Sequence, residues 1–281
     1  MNDSKQPDEK TLASLPKKHL ESAVSRAIVD AFHDKLVRAL KSDVVIVGAG
    51  PSGLVAAWHL AKAGYRVVLL EKRLSPGGGI WAGSTGMNEI VVEEETFGLL
   101  AEACVRQSRR GNLFTADAAE LACALCLKAI HAGTIFLNLM TVEDVCVHEG
   151  RVTGVAANRS LLVDQLPIDP MVFSTRAVID ATGHEAILVN CLYRRELLKS
   201  TTGRVPGENI MDAPQGEHFV VNRVAELFPN LWITGMSVCA ALGGPRMGPI
   251  FGGMLLSGIN VAEQVDRALQ ERHEEDHDET A

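Results

Sequence analysis

The stretch Asp43-Val44-Val45-Ile46-Val47-Gly48-Ala49-Gly50-Pro51-Ser52-Gly53 decides the fold. Asp43 to Val47 is a short, β-branched apolar run, the pattern of a strand covered on both faces. It stops at Gly48, and Gly48, Gly50 and Gly53 fit G-x-G-x-x-G. Leu54 to Ala63 have helical composition, Gly64 ends them, and Arg66 to Leu70 form a second apolar strand followed by Glu71. Strand, glycine turn, helix and strand make a βαβ unit, so the order predicts a Rossmann-like dinucleotide-binding α/β fold. Gly48 permits the tight turn, Gly50 lets the backbone approach a pyrophosphate, and Gly53 lets helix and strand pack closely. The helix N-terminus offers unpaired N–H groups to the phosphates. Glu71 stands where a carboxylate accepts hydrogen bonds from ribose hydroxyls and repels a 2′-phosphate, which favours NAD or FAD over NADP.

Before this unit, a helical pattern runs from Leu20 to Leu40 through Ala23, Ala27, Ile28, Phe32, Leu36 and Val37. That helix is expected to pack on the core or on a neighbouring subunit. Residues 1–17 are polar and aperiodic and read as a flexible arm. After the unit, Pro76 to Gly79 form a loop, Ile90 to Val92 a strand and Thr115 to His131 a long helix. Thr134 to Val147 and Arg151 to Val155 read as strands joined by a Glu149-Gly150 turn. Residues 84–175 are therefore expected to add a smaller mixed β portion to the doubly wound core. Ala177 to Asp180 and Leu231 to Ile233 read as buried strands, and a long Gly-rich loop leads to a helix near Gly253 to Leu269. The boundaries expected are an arm at 1–17, a single α/β domain at 18–268 and an acidic disordered tail at 269–281.

Composition agrees and excludes other classes. The chain has 281 residues, 47% hydrophobic and 22% charged, an ordinary globular balance that excludes a disordered, collagen-like or coiled-coil protein. Its net charge of −8 lacks the basic footprint of a nucleic-acid binder. No apolar run reaches the roughly 18 residues that span a bilayer. The first 20 residues have no apolar core of the secretory kind, so a cytoplasmic location is expected. The six cysteines (104, 123, 126, 146, 191 and 239) lie mostly in apolar stretches and read as free thiols. Cys123-x-x-Cys126 has no second pair and reads as core packing.

Glu71-Lys72-Arg73 followed by Gly77-Gly78-Gly79, and the strand end Val178 to Gly183, resemble the two-dinucleotide-binding flavoprotein superfamily. Taken alone, these segments imply an FAD-dependent oxidoreductase. The C-terminal loop Gly244-Pro245-Arg246-Met247-Gly248-Pro249-Ile250-Phe251-Gly252-Gly253 narrows the choice. It resembles the thiamine thiazole synthase family, including its archaeal sulfide-dependent members. Ser25-Arg26-Ala27-Ile28, Ile90-Val91-Val92 and Ala181-Thr182-Gly183-His184 follow the family's order over about residues 22–265.

The resemblance implies an enzyme that uses NAD as a substrate. Nicotinamide leaves, the ADP-ribose opens to an aldehyde, glycine condenses with it, and sulfur enters. Ring closure with dehydration gives an ADP-linked thiazole carboxylate. It also implies roles. Ser52, Glu71, Lys72, Gly79, Val142 and Met236 match positions that hold the dinucleotide, beside Gly48, Gly50 and Gly53. Arg246 matches the residue that grips the glycine carboxylate, for which a guanidinium offers two parallel donors. Asp169 and His184 match iron(II) ligands that the family draws from adjacent protomers, and the family assembles as an octamer. Bland readings stand beside these: Arg246 paired with an acidic surface group, His184 as a polar residue near a helix start, Asp169 as a turn initiator before Pro170.

The chain departs from the family in Leu166-Pro167-Ile168-Asp169-Pro170. Where fungal members carry a sulfur-donating cysteine that is consumed and archaeal members a histidine, this chain has Pro167. No thiol lies near it in sequence, which disfavours the consumed-cysteine route. Two readings stay open: sulfur supplied as free sulfide, or an NAD-binding protein whose sulfur-transfer step is altered or lost.

Overall fold

The structure, a computed structural model, describes residues 20–163, 168–199 and 203–278, with side chains as far as Arg272. The arm at 1–17 and Pro167 lie outside the described residues. The described residues fall into two units, divided after Leu40. The described part of the first unit is the helix α1 (Leu20–Ala39), as its apolar periodicity predicts. Glu21 in its first turn and Arg38 in its last complement the helix dipole, and Arg26 pairs with Asp30 one turn on at 3.5 Å.

In the second unit the chain runs β1 (Val44–Val47), α2 (Pro51–Lys62), β2 (Val67–Glu71), β3 (Glu89–Val92), α3 (Phe97–Glu102), β4 (Ser108–Arg110), β5 (Leu113–Asp117), α4 (Ala118–His131) and β6 (Ile135–Asn138). It continues through β7 (Met140–His148), β8 (Arg151–Arg159), β9 (Met171–Ser174), β10 (Ala177–Asp180), α5 (Ile187–Arg194), β11 (Asn209–Met211), α6 (Ala213–Asn222), β12 (Ala225–Phe228), β13 (Leu231–Ile233), α7 (Met236–Leu242), β14 (Pro245–Arg246) and α8 (Gly252–Asp278). The main sheet has the order β12-β13-β10-β1-β2-β6 and is parallel except for the edge strand β12. Its central strands are buried at every residue, which is why they read as continuous apolar runs. The helix α2 packs against α8 and α4. Two small antiparallel sheets, β3-β5-β4 and β7-β8-β9, supply the mixed β portion. They are interrupted, because β6 pairs with β2 in the main sheet.

Several expected boundaries move. Thr115 to Asp117 belong to the strand β5, and the helix begins only after Asp117, whose carboxylate caps it by accepting from the Glu120 N–H at 2.8 Å. The strand expected over Thr134 to Val147 breaks at Leu139, which has a φ of +54° and passes the chain from one sheet to another. The Glu149-Gly150 turn forms as read, with φ of +51° and +75°, the positive pair of a tight hairpin. The Gly-rich loop contains the helix α7, and α5 and α6 had no counterpart in the sequence reading. The tail expected to be disordered from 269 instead continues α8 to Asp278. Leu269 is buried, and Arg272 donates to Asn230 Oδ1 at 2.7 Å and Glu226 Oε1 at 2.9 Å while lying over the Trp232 ring. Those contacts hold the helix past its expected end.

Candidate active site

The carboxyl ends of β1, β2 and β10 open into a cavity of about 890 Å³, within the range of small-molecule sites. The fingerprint forms one wall, and its three glycines do different work. A Cβ on Gly48, whose φ is +102°, would lie 2.4 Å from the Ala181 carbonyl oxygen, and one on Gly53 would lie 2.0 Å from the Gly48 oxygen. A Cβ on Gly50 would meet no protein atom within 4 Å, and Gly50 lines the cavity. Gly53 is therefore a packing residue outside the cavity wall, and Gly50 is the point of open approach. The helix α2 starts with no side-chain cap and no acidic residue in its first turn. Its free N–H groups are left for an anion.

Ser52, Glu71, Lys72, Gly79, Val142 and Met236 all line the same cavity. Glu71 is nearly buried and has one oxygen on the Ala49 N–H and the other on the Arg73 N–H, each at 2.8 Å. Those bonds fix the carboxylate at the strand end and leave further lone pairs for hydroxyl donors. Lys72 pairs with Glu185 across the cavity wall. The Gly77 N–H donates to the Ala49 carbonyl at 2.6 Å, which ties the Gly77–Gly79 loop to the fingerprint.

The opposite wall comes from the strand ends β10 and β13. Asp180, fully buried, accepts from the N–H groups of Thr182, Leu188 and Val189 and from the hydroxyls of Thr182 and Ser237. It anchors the turn Gly183–Glu185, which carries His184 into the cavity lining. His184 Nδ1 bonds Glu208 Oε1. Arg246 lines the cavity from β14, which pairs in parallel with β11. The next residue, Met247, is buried against Val220, Met236 and Cys239. This alternation of strand side chains turns Arg246 outward, and it has no ion-pair partner among the described residues. The surface-pair reading of Arg246 finds no support.

Asp169 is exposed just before β9 and does not line the cavity, so the structure does not bring it together with His184. Among the described residues, no group of three His, Cys, Asp or Glu side chains is placed to hold a metal. None of the six cysteines lines the cavity either. Cys239, packed with the cavity residue Met236, is fully buried, and burial together with the Glu208 charge pushes its thiol up to about 12. A thiol held there is neither a thiolate nor accessible.

One site feature escaped the sequence. Glu208 carries no motif and lies far along the chain from His184. Gly235 packs closely on the fingerprint: a Cβ there would lie 2.3 Å from the Ser52 hydroxyl, and its φ is +62°.

Comparison with known proteins places this arrangement. The model of the Thi4 family matches residues 25–251. A protein of Thermococcus kodakarensis named thiamine thiazole synthase is 45% identical over 251 residues, 89% of this chain and 98% of its own. One of Thermotoga maritima with the same name is 46% identical over 88% of this chain and 97% of its own. The crystal structure of Thermovibrio ammonificans THI4 superposes with a TM-score of 0.86 at 41% identity, covering 92% of this chain and 99% of that one.

Proposed function

The chain belongs to the Thi4 family, and on that premise we infer that it is an enzyme that makes the thiazole of thiamine. It converts NAD, glycine and sulfide to ADP-5-ethyl-4-methylthiazole-2-carboxylate, releases nicotinamide and depends on iron(II). One observation carries the reading: a dinucleotide cradle opens, within a single cavity, onto a guanidinium that has no ion-pair partner among the described residues and onto an imidazole.

The residues divide the work. The start of α2 and Gly50 receive the pyrophosphate, and Glu71 accepts from the ribose hydroxyls. Ser52, Lys72, Gly79, Val142 and Met236 complete the dinucleotide wall. Arg246 holds the glycine carboxylate with two parallel donors and so orients its amine toward the opened sugar aldehyde.

Sulfur comes from outside the chain, because no cysteine of the chain borders the cavity. The donors in one chain do not complete an iron site. The set fits iron(II) when His184 of one protomer and Asp169 of another are combined, an imidazole and a carboxylate that leave positions open. Iron held by these two residues would supply a Lewis-acid site for sulfide. The protein therefore works as a homo-oligomer, an octamer as in its family, in the cytoplasm.

The test is anaerobic mass spectrometry of small molecules released after incubation with NAD, glycine, iron(II) and sulfide. An ADP-linked thiazole carboxylate is expected. Nicotinamide release with a sulfur-free glycine adduct would place a block at sulfur transfer, and unchanged NAD would overturn the reading.

A further inference from the structure

Glu208 belongs to no motif, yet three features set it apart. Its Oε1 bonds Nδ1 of His184. The carboxylate is only 14% exposed against 60% for the imidazole, so the acceptor of the pair is largely withdrawn from solvent. Its backbone is held on both sides: the Gly207 N–H donates to the Ala240 carbonyl at 3.0 Å, and the Asn209 N–H to the Gly244 carbonyl at 2.8 Å. The strand that follows pairs with β14 and sets Met211 opposite Arg246. One backbone ladder thus fixes both the carboxylate behind His184 and the guanidinium of the same cavity.

We propose that Glu208 is the positioning residue for His184: its carboxylate accepts the Nδ1 proton, holds the neutral ring in the Nδ1–H form and leaves the Nε2 lone pair to the cavity. The proposal rests on the reading of His184 as a working residue of thiazole formation. An unassisted neutral imidazole carries its proton mainly on Nε2, the wrong nitrogen for a ring that must present Nε2 as a donor atom. A carboxylate on the other nitrogen reverses that preference and fixes the ring plane. The ring's own turn is secured separately, because the Gly183 N–H donates to Ser237 Oγ at 2.9 Å. Removing Glu208 therefore frees the ring without dismantling the turn.

Nitrogen-15 spectra of the full chain, free of metal and at alkaline pH, report the tautomer, with His184→Gln as the assignment control. The Nδ1–H form is expected in the unmodified protein and in Glu208→Gln, whose amide oxygen accepts the same proton. Glu208→Ala is expected to shift the ring to the Nε2–H form. In turnover, Glu208→Ala should lower kcat for thiazole about 10–100-fold with the KM for NAD changed by less than about twofold, and Glu208→Gln should restore part of the rate. An unmodified ring protonated on Nε2, or an unshifted ring in Glu208→Ala, overturns the proposal. So does a Glu208→Gln protein as slow as Glu208→Ala with its tautomer intact, which would give the charge itself the role. The spectra need neither metal nor substrate. A failure of thiazole formation in the unmodified protein would therefore count against the function alone.

Discussion

Gly48 and Gly50 are two residues apart and should fail differently when a methyl group is added. At Gly48 the methyl meets a carbonyl oxygen at 2.4 Å on a backbone with a φ of +102°. Gly48→Ala is expected to cost about 2–4 kcal/mol of stability, read as a lowered denaturation midpoint. At Gly50 it meets only open cavity. Gly50→Ala should melt within about 0.5 kcal/mol of the unmodified protein and still lose NAD affinity, measured by titration. Arg246→Ala is expected to raise the glycine KM about 10–100-fold with NAD binding retained, and Arg246→Lys to recover only part of it, since an ammonium lacks the parallel donors. These positions were legible because each has one residue type that fits its job. Glu208 was not legible: a glutamate is ordinary anywhere on a surface, and only the folded chain brings it to His184.

Among the elements, the start of α8 rests on an unusual support. Glu217 of α6 is nearly buried and accepts from the Gly253 N–H, while its other oxygen is buried with no partner among the described residues. Burial pushes its carboxyl up from 4.5 to about 7, and the charges of Glu93 and Glu95 on the neighbouring turn add to the effect. A carboxyl raised on folding keeps a proton that the unfolded chain has lost. Stability is therefore expected to fall as pH rises from about 4.5 to about 7 and then level off, by about 1–2 kcal/mol after screening. Glu217→Gln, which stays neutral, should flatten that slope in chemical denaturation followed across pH. The elements themselves were read unevenly. Those with a helical period, α1 and α2, or a continuous apolar run, β1 and β2, were clear in sequence. The helix α7 is buried from Met236 to Ala241 and so has no polar face to betray a period. The start of α6 could have been found from Asp212 and Pro214, a cap and a first-turn proline; Asp212 does accept from the Gln215 N–H at 3.1 Å.

For the whole molecule, ligand linkage gives the broadest check. NAD at a hundred times its Kd should stabilise the folded state by about 2.7 kcal/mol, a rise of about 5–10 °C in Tm, while FAD gives none. Native mass spectrometry should find eight copies, and Asp169→Ala should abolish iron binding without altering the number of copies. The sequence conveyed the parallel core chiefly through the fingerprint, because β1, α2 and β2 adjoin one another along the chain, and through the buried runs that became β10 and β13. The interruption of the β portion by β6 was hidden, since one apolar run serves two sheets and only a left-handed residue at Leu139 divides them.

The strand order has a consequence for how the protein comes into being. β1 lies between β2 and β10, and β10 in turn pairs with β13. A nascent chain that has emerged only as far as β6 already carries the whole fingerprint, but its first strand has one bare edge and its phosphate cradle only one wall. The second wall is added when Ala177 to Asp180 slot in beside Val44 to Val47, and the guanidinium arrives later still with β14. Nucleotide captured during synthesis would thus be held by half a site, and firm retention marks a chain translated past Arg246.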